Sequence, residues 1–533
     1  MFTLRETADG GLPGGGPRDG MPSGSNSGGP VGRPRAVVIG AGFGGLAIAA
    51  RLGARGYAVT LVEKLDGPGG RGRVFRQDGF TFDAGPTIVT APQVFEELWR
   101  ACGRDFHKDV TLKTLSPFYR IRFDDGETID CGNAPGQMYR EVERISPGDL
   151  EGYKQFEKDS RAIYDYAFEI KSHQPFHRLI ETVKMAPRLA WMGGHWSVHQ
   201  FVANRVKNDK LRFALSFHPL FVGGDPFATT SFYCLINHLE QGWGVNYAMG
   251  GTGALVQAMA DLVTDMGGTI RYGEEVSEIT HEGDRATGVK LAGGEVLPAD
   301  IVVCNGDPAT VYRRMLPGRK RRRWTDAKID RMDYSMSVVV WYFGTNRRWE
   351  DCPHHTIVLG PRYKPLIKDI FRRKILGPDF SLYLHRPSAT DPRVAPEGCD
   401  AFYALVPVPN LDGDTDWTTE LAPFKQRIAE RLEETMLPGL REHVVSEHII
   451  APPYFRDVLN SERGAAFGME PQLLQSAWFR PHNKSEELDG LFFVGAGTHP
   501  GAGLPGTVTS ARVVDSLVPE AQAARTAEAR VGA

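Results

Sequence analysis

One stretch constrains the fold of this chain more than any other. Ala36-Val37-Val38-Ile39 runs into Gly40-Ala41-Gly42-Phe43-Gly44-Gly45, and Leu46, Ala49, Ala50 and Gly53 follow at helical spacing. The short apolar run has the length of a buried parallel strand. Gly56 closes the helix, and Ala58-Val59-Thr60-Leu61-Val62 reads as a second strand ending at Glu63. The unit is β-α-β, and Gly40, Gly42 and Gly45 stand in it as G-x-G-x-x-G. The first glycine permits a tight turn, the second lets the backbone approach a pyrophosphate, and the third lets helix pack close to strand. The anion then rests on the helix N-terminus, where free N–H groups and the helix dipole favour it. Glu63, 23 positions after Gly40, is placed to accept ribose hydroxyls and to repel a 2′-phosphate, against NADP. A glycine-rich turn packing for its own sake is the rival reading. Strand, helix, strand and acid in register favour a dinucleotide.

Two further glycine-rich segments bear on which dinucleotide. Gly67-Pro68-Gly69-Gly70-Arg71 follows Glu63 closely, and its arginine suits a second contact with the pyrophosphate. Far along the chain, Leu491-Phe492-Phe493-Val494-Gly495 reads as a strand. It leads into a glycine-rich loop to Thr507 and a helix over Val508–Leu517. A helix N-terminus there can face the pyrimidine side of an isoalloxazine, where charge develops on reduction. Two remote glycine-rich segments on one extended ligand fit FAD better than NAD.

Composition excludes several classes. Lys and Arg number 62 against 65 Asp and Glu, so no basic excess points to nucleic acid. The six cysteines are scattered, with no CxxC and no Cys/His pair at zinc spacing, which suggests reduced thiols and a cytoplasmic setting. No run approaches the ~18 apolar residues of a bilayer-spanning helix. Residues 1–34, rich in Gly, Pro and Ser, read as a disordered tail without the apolar core of a secretory signal, and 519–533 as a second flexible tail.

Length alone, 533 residues, suggests about three to four domain-sized units. Motif order suggests a different division. Gly250-Gly251-Thr252-Gly253 precedes a helical stripe of Leu255, Met259, Leu262, Val263 and Met266. Asp300-Ile301-Val302-Val303-Cys304-Asn305 reads as another buried strand. The expectation is an α/β chain whose Rossmann-like FAD-binding domain is assembled discontinuously from 35–90, 248–312 and 476–518. A mixed-sheet substrate domain would come from 91–135 and 313–475, and a helical membrane-facing region from 136–247. Strand candidates lie at Ser337–Phe343, Phe380–Leu384 and Ala401–Val406, with a helix near Phe424–Met436.

Several of these stretches resemble one family. Val38 to Leu46, Gly69-Gly70-Arg71, Gly79-Phe80-Thr81-Phe82-Asp83-Ala84-Gly85-Pro86-Thr87 and Phe217-His218-Pro219-Leu220-Phe221-Val222-Gly223-Gly224-Asp225-Pro226-Phe227 are similar to the bacterial phytoene desaturases. So are Gly250 to Leu255, Gln475-Ser476-Ala477-Trp478-Phe479-Arg480-Pro481-His482-Asn483 and Val494 to Gly503, the last two being the more specific. The resemblance covers about 36–515. It implies an amine-oxidase-like FAD flavoprotein peripheral to a membrane that converts phytoene stepwise toward neurosporene or lycopene and passes electrons to quinone or oxygen. By motif position it also implies that FAD is held by Gly40, Ala41, Gly42, Gly44, Gly45, Glu63, Lys64, Gly70, Arg71, Pro86, Thr87, Val276, Gly495, Leu504, Pro505, Gly506 and Thr507.

Removing two hydrogens from a carbon–carbon bond beside a conjugated triene takes a hydride and a proton. The flavin carries the first step, and the protein must orient the chain and take the proton. Asp149, Glu151, His218 and Glu240 are the candidate bases. Asp149 is preferred because its segment recurs in the family pattern, although an Asp after Ser-Pro-Gly is also a usual helix cap. His354-His355 is read as no metal site, since no carboxylate or cysteine completes a set and adjacent residues of a strand face opposite ways. Arg319-Lys320-Arg321-Arg322-Arg323 reads either as a solvated loop or as a contact for anionic headgroups. Phe176, Leu179, Ile180, Val183, Leu189, Met192 and Trp196 form stripes that are either core or membrane face, with Lys171, Arg178, Lys184 and Arg188 interleaved as on an interfacial helix. Three rival functions share the fold: a flavin-dependent carotenoid isomerase, a non-catalytic prenyl-lipid escort protein, and an amine oxidase with an aromatic cage at the flavin.

Overall fold

The computed structural model describes residues 32–521. The two tails therefore lie outside the described residues except for a few positions at their inner ends. Those positions are tied down. Arg33 donates to the carbonyl oxygens of Gly56 and Tyr57, at 2.8 and 2.9 Å, and the Tyr57 hydroxyl donates to that of Pro519 at 2.8 Å.

A five-stranded parallel sheet forms the first layer. Its order is Leu491–Phe493, Ile301–Cys304, Arg35–Ile39, Ala58–Val62, Thr269–Arg271. The four inner and C-terminal strands are short, mostly apolar runs fit for burial on both faces, while Thr269–Arg271 closes the edge with a more exposed, polar strand. Phe43–Ala54 is buried along nearly its whole length and packs against the helices Thr252–Asp265 and Leu504–Leu517. Gly53 allows the closest of these approaches, since a Cβ there would come within 2.9 Å of Met266. A three-stranded antiparallel sheet, Val276–Glu282, Arg285–Leu291 and Val296–Pro298, is inserted between the strands Thr269–Arg271 and Ile301–Cys304.

The second layer is a seven-stranded mixed sheet, ordered Val444–Ile450, Ser337–Thr345, Asp400–Val408, Leu382–His385, His355–Val358, Tyr119–Arg122, Thr128–Cys131. Ser337–Thr345 is buried throughout. Its alternate residues serve two cores. Val339, Trp341 and Phe343 meet the helix Trp417–Thr435, while Val338, Val340 and Tyr342 meet Phe80 and Phe82. That helix begins about two turns before its sequence signal, because the Asp416 carboxylate caps it by accepting the Thr418 N–H at 2.9 Å.

The segment 137–243 is largely helical and has its own aromatic core around Tyr153, Phe156, Phe201 and Phe217. Among the described residues no helix is long and apolar enough to cross a membrane.

Candidate active site

The parallel sheet ends where the first glycine turn begins. A Cβ at Gly45 would overlap the carbonyl oxygen of Gly40, so helix and turn can meet only at a glycine. The Gly69 N–H donates to the Ala41 carbonyl at 2.8 Å, which lays the second glycine pair on the first. Glu63 is buried. One of its carboxylate oxygens accepts the Ala41 N–H at 2.7 Å and the other the Leu65 N–H at 2.9 Å. Asn305, at the end of the neighbouring strand, closes the cradle. A Cβ at Gly42 or Gly44 would come within 2.6 Å of its side chain, and one at Gly495 within 2.5 Å.

These residues border a cavity of about 980 Å³ that reaches both sheets and the helical segment. Gly40, Gly42, Glu63, Lys64, Gly70, Arg71, Pro86, Thr87, Val276, Leu504, Pro505, Gly506 and Thr507 line it. Ala41, Gly44, Gly45 and Gly495 stand behind the wall and set its backbone. The cavity also meets the first turn of Leu504–Leu517, whose free N–H groups suit an anionic or charge-accepting ligand edge.

Arg71 supplies the fixed cation. It donates to the Ser461 hydroxyl at 2.9 Å, and burial pulls its pKa down against the opposing charge of Asp307. Burial likewise lowers Lys64, while Glu275 and Glu63 oppose the shift. The Asn305 side chain wedges between the glycines, its Nδ2 beside Gly42 and its Oδ1 against Gly44 and Gly495, where Oδ1 is buried without a partner among the described residues. Two helix N-termini, a buried cation, a carboxylate ending the second strand and glycines that leave no room for a Cβ together fit a flavin dinucleotide. Asn305 was not singled out in the sequence. A polar residue ending a buried strand beside the glycine turn is the only signal it carries.

Asp149 is a correction. It is buried, but it does not line the cavity. One oxygen accepts the Lys207 N–H at 2.8 Å; the other accepts the Asn208 N–H and the Ser146 hydroxyl, both at 2.9 Å. Burial raises its pKa, yet these donors outweigh burial and hold the carboxyl below its ordinary range. It makes no side-chain cap bond to the helix Leu150–Tyr164 that follows it, contrary to the rival reading of Ser-Pro-Gly-Asp, and instead ties that helix start to the remote backbone of 207–208.

Glu240 does line the cavity, as do Phe217 and Phe221 on either side of His218. Glu240 accepts the Tyr119 hydroxyl at 2.7 Å and lies 3.1 Å from His218 Nε2.

A third imidazole joins His354 and His355, contrary to the expectation from their adjacent positions. His385, on the paired strand, brings a third imidazole within ligand range, so the three ring nitrogens lie within 4.8 Å of one another. His354 Nε2 is 3.0 Å from His385 Nε2, and His354 Nδ1 is 2.6 Å from the Thr390 hydroxyl. Burial, with the Arg386 cation nearby, pushes His354 down to about 3 and keeps the imidazoles neutral. Within the cluster His355 Nδ1 is 2.6 Å from the Tyr383 hydroxyl, which is 3.0 Å from that of Thr87. The cluster thus braces the wall beside the cofactor cradle.

The basic run 319–323 is largely engaged internally. Arg319 pairs with Asp284, Arg321 with Asp326 and Arg323 with Glu486, while Glu487 accepts the backbone N–H groups of 322–324. The apolar stripe divides instead. Phe176 and Met185 are buried, whereas Leu179, Ile180 and Val183 are exposed.

Residues 43–514 match the family model described as flavin containing amine oxidoreductase. The chain belongs to that family. Among curated relatives, a neurosporene-forming phytoene desaturase of Rhodobacter capsulatus is 50% identical over 496 residues, 92% of this chain and 95% of the relative. A lycopene-forming phytoene desaturase of Pseudescherichia vulneris is 43% identical over 487 residues, 91% and 99% of the two chains. Among solved structures, an oxidoreductase from Methanosarcina mazei superposes with a TM-score of 0.63 at 18% identity, over 90% of this chain and all of that one. Cyclohexylamine oxidase from Brevibacterium oxydans gives 0.56 at 14%, over 93% and 99%. These structural likenesses show the amine-oxidase-like fold with its mixed sheet. As a member of the flavin-containing family the chain takes FAD, and the cradle described above is where its residues would hold it.

Proposed function

We propose that this chain is an FAD-dependent phytoene desaturase that introduces successive double bonds toward neurosporene or lycopene while resting on a membrane surface. One observation carries the reading. The cradle that fits a flavin opens into a single cavity whose remaining wall is largely apolar, with Leu220, Phe221, Phe232, Leu239, Leu382 and Phe467 among its members. A hydrocarbon polyene has no polar handle, so such a wall binds it by surface burial and excludes water from the reacting carbons. FAD held in the cradle would supply the hydride acceptor. The chain itself holds the polyene against the Pro86–Thr87 loop, whose Thr87 hydroxyl is fixed by Tyr383 and Tyr403 at 3.0 and 3.1 Å.

The membrane reading rests on where the cavity meets the surface. Leu179 and Val183 line it and are exposed, and so are Leu473 and Leu474. The turn Ala477–Phe479, which follows these leucines, contacts the helix Leu179–Trp191, and Ala477 packs on the cluster of Tyr166, Phe176 and Met185, which supports a single patch at the cavity mouth. Trp191, 85% exposed, ends it. Arg178, Lys184 and Arg188 on the same helix suit anionic headgroups. A water-insoluble substrate could then pass from bilayer to cavity without crossing water. All six cysteines are free thiols, which is compatible with the cytoplasmic-side location proposed here. Quinone or oxygen is the electron acceptor proposed.

An escort protein without catalysis has no use for an intact cradle, which Glu63, Arg71 and Asn305 supply here. The isomerase is separated by electron count. Under anaerobic conditions phytoene should bleach the flavin of the purified protein in proportion to product formed. Product without net bleaching would favour the isomerase, and no product would overturn the proposal.

A further inference from the structure

Desaturation leaves a proton to be removed, and the cavity wall holds several titratable groups. Glu63, Lys64, Glu274 and Glu275 cluster with Val276 at the cradle end, where Glu63 and Arg271 are already engaged with their neighbours. Asp307 caps the helix Pro308–Arg314 by accepting the Ala309 N–H at 3.0 Å, and also accepts the Glu462 N–H at 3.1 Å. Tyr233, Tyr383 and Tyr403 are pushed up by burial and stay protonated. His499 packs on Phe176, and burial pushes it down to about 4. An imidazole that takes a proton becomes a cation, which an apolar cavity disfavours. A carboxylate that takes one becomes neutral, which the same cavity favours.

Glu240 is the carboxylate so placed. It is 1% exposed on the helix Leu235–Trp243, one residue after the cavity-lining Leu239 and one turn after the cavity-lining Ile236. Its Oε2 is held from two sides, by the Tyr119 hydroxyl at 2.7 Å and His218 Nε2 at 3.1 Å. Its Oε1 is buried with no partner among the described residues. A buried carboxylate with one oxygen anchored and one left free is an unsatisfied arrangement, and such a group in a cavity points to function. The wall is continuous from the cradle to this point. Thr87 bonds Tyr383, the ring of Tyr383 lies 6.5 Å from Phe221, Phe221 lies 5.2 Å from Phe217, and Phe217 stacks on His218 at 4.4 Å.

We propose that Glu240 Oε1 is the proton acceptor of the desaturation, and that Tyr119 and His218 are positioning residues that hold its other oxygen. The assignment rests on the desaturase reading above. The polyene gives a hydride to the flavin, the oxidant of the established family. In the same step the adjacent C–H bond breaks, its electron pair becomes the new double bond, and the proton goes to Glu240, so hydride loss is tied to the base. The protonated carboxyl returns the proton to solvent between turnovers.

The test compares the wild-type holoenzyme with Glu240→Gln, Glu240→Asp and Tyr119→Phe on phytoene in vesicles. Glu240→Gln keeps shape and loses the proton acceptor, so the rate of flavin reduction should fall by roughly 10²-fold or more. FAD content and quenching of protein fluorescence by phytoene should stay unchanged. Glu240→Asp should recover part of the rate. Tyr119→Phe should lower kcat with KM little altered. In infrared difference spectra, a protonated-carboxyl band should accompany the first turnover and vanish in Glu240→Gln. If Glu240→Gln retains FAD and reduces it within about threefold of wild type, Glu240 is not the base. If the band persists in that variant, another carboxyl takes the proton. If wild-type holoenzyme fails on phytoene, the desaturase reading falls and this assignment with it.

Discussion

Replacing Leu473 and Leu474 together by serine should detach the protein from membranes without unfolding it. Leu473 and Leu474 are 48% and 70% exposed, so neither supplies much to the core. Full burial of a leucine is worth roughly 1.5–3 kcal/mol. Scaled by the exposed fractions, immersion of both in the interface contributes roughly 2–3 kcal/mol. Serine adds no apolar surface to recover it. The vesicle partition coefficient should therefore fall by roughly 30- to 150-fold, at about 1.4 kcal/mol per tenfold. The assay is flotation with vesicles containing anionic lipid, with FAD content and Tm as controls. Turnover on vesicle-borne phytoene should fall in parallel. A variant that floats like wild type would refute the placing of the membrane face at this mouth. Flotation of wild type lost only at high salt would point to headgroup charge as the dominant attraction instead.

Other outcomes follow from single positions. Gly45→Ala should abolish FAD binding, read as loss of the yellow chromophore, because its Cβ would overlap a backbone carbonyl that the turn cannot move. Asp149→Ala should cost about 1–2 kcal/mol in denaturant unfolding through loss of its hydrogen bonds from Ser146 and the 207–208 backbone, while flavin reduction per folded molecule stays unchanged. Burial, against the N–H groups of Thr252 and Gly253, pushes Asp83 up to about 6. The native state then binds the proton more tightly than the unfolded chain. Its contribution is greatest below the ordinary aspartate range and is lost as pH rises from about 4 through about 6, to a total of up to about 3 kcal/mol. Asp83→Asn should flatten that part of the stability–pH profile, as measured by denaturation at several pH values.

The local grammar of the first unit was legible because each step has a local cause. A buried strand, a glycine turn that forbids a Cβ and a carboxylate ending the next strand need no distant partner to be recognised. Asn305 was not legible, since its role exists only once three remote glycines converge on its amide. Asp149 and Glu240 show the same limit from the other side. Both are acids near helix starts or within helices, and only packing reveals that one has its lone pairs filled by backbone donors and the other has one free. The histidine cluster was missed because His385 lies 30 positions away from His355 and arrives through strand pairing. The apolar stripe at 176–196 was ambiguous because hydrophobic spacing defines a face but not what covers it.

The most direct test of the account is to incubate the FAD-loaded protein with phytoene in liposomes and record the absorption spectrum of the extracted pigment. The account predicts absorbance moving into the visible, with bands that lengthen in step as double bonds are added. A protein that carries its flavin and leaves the colourless spectrum unchanged would contradict it.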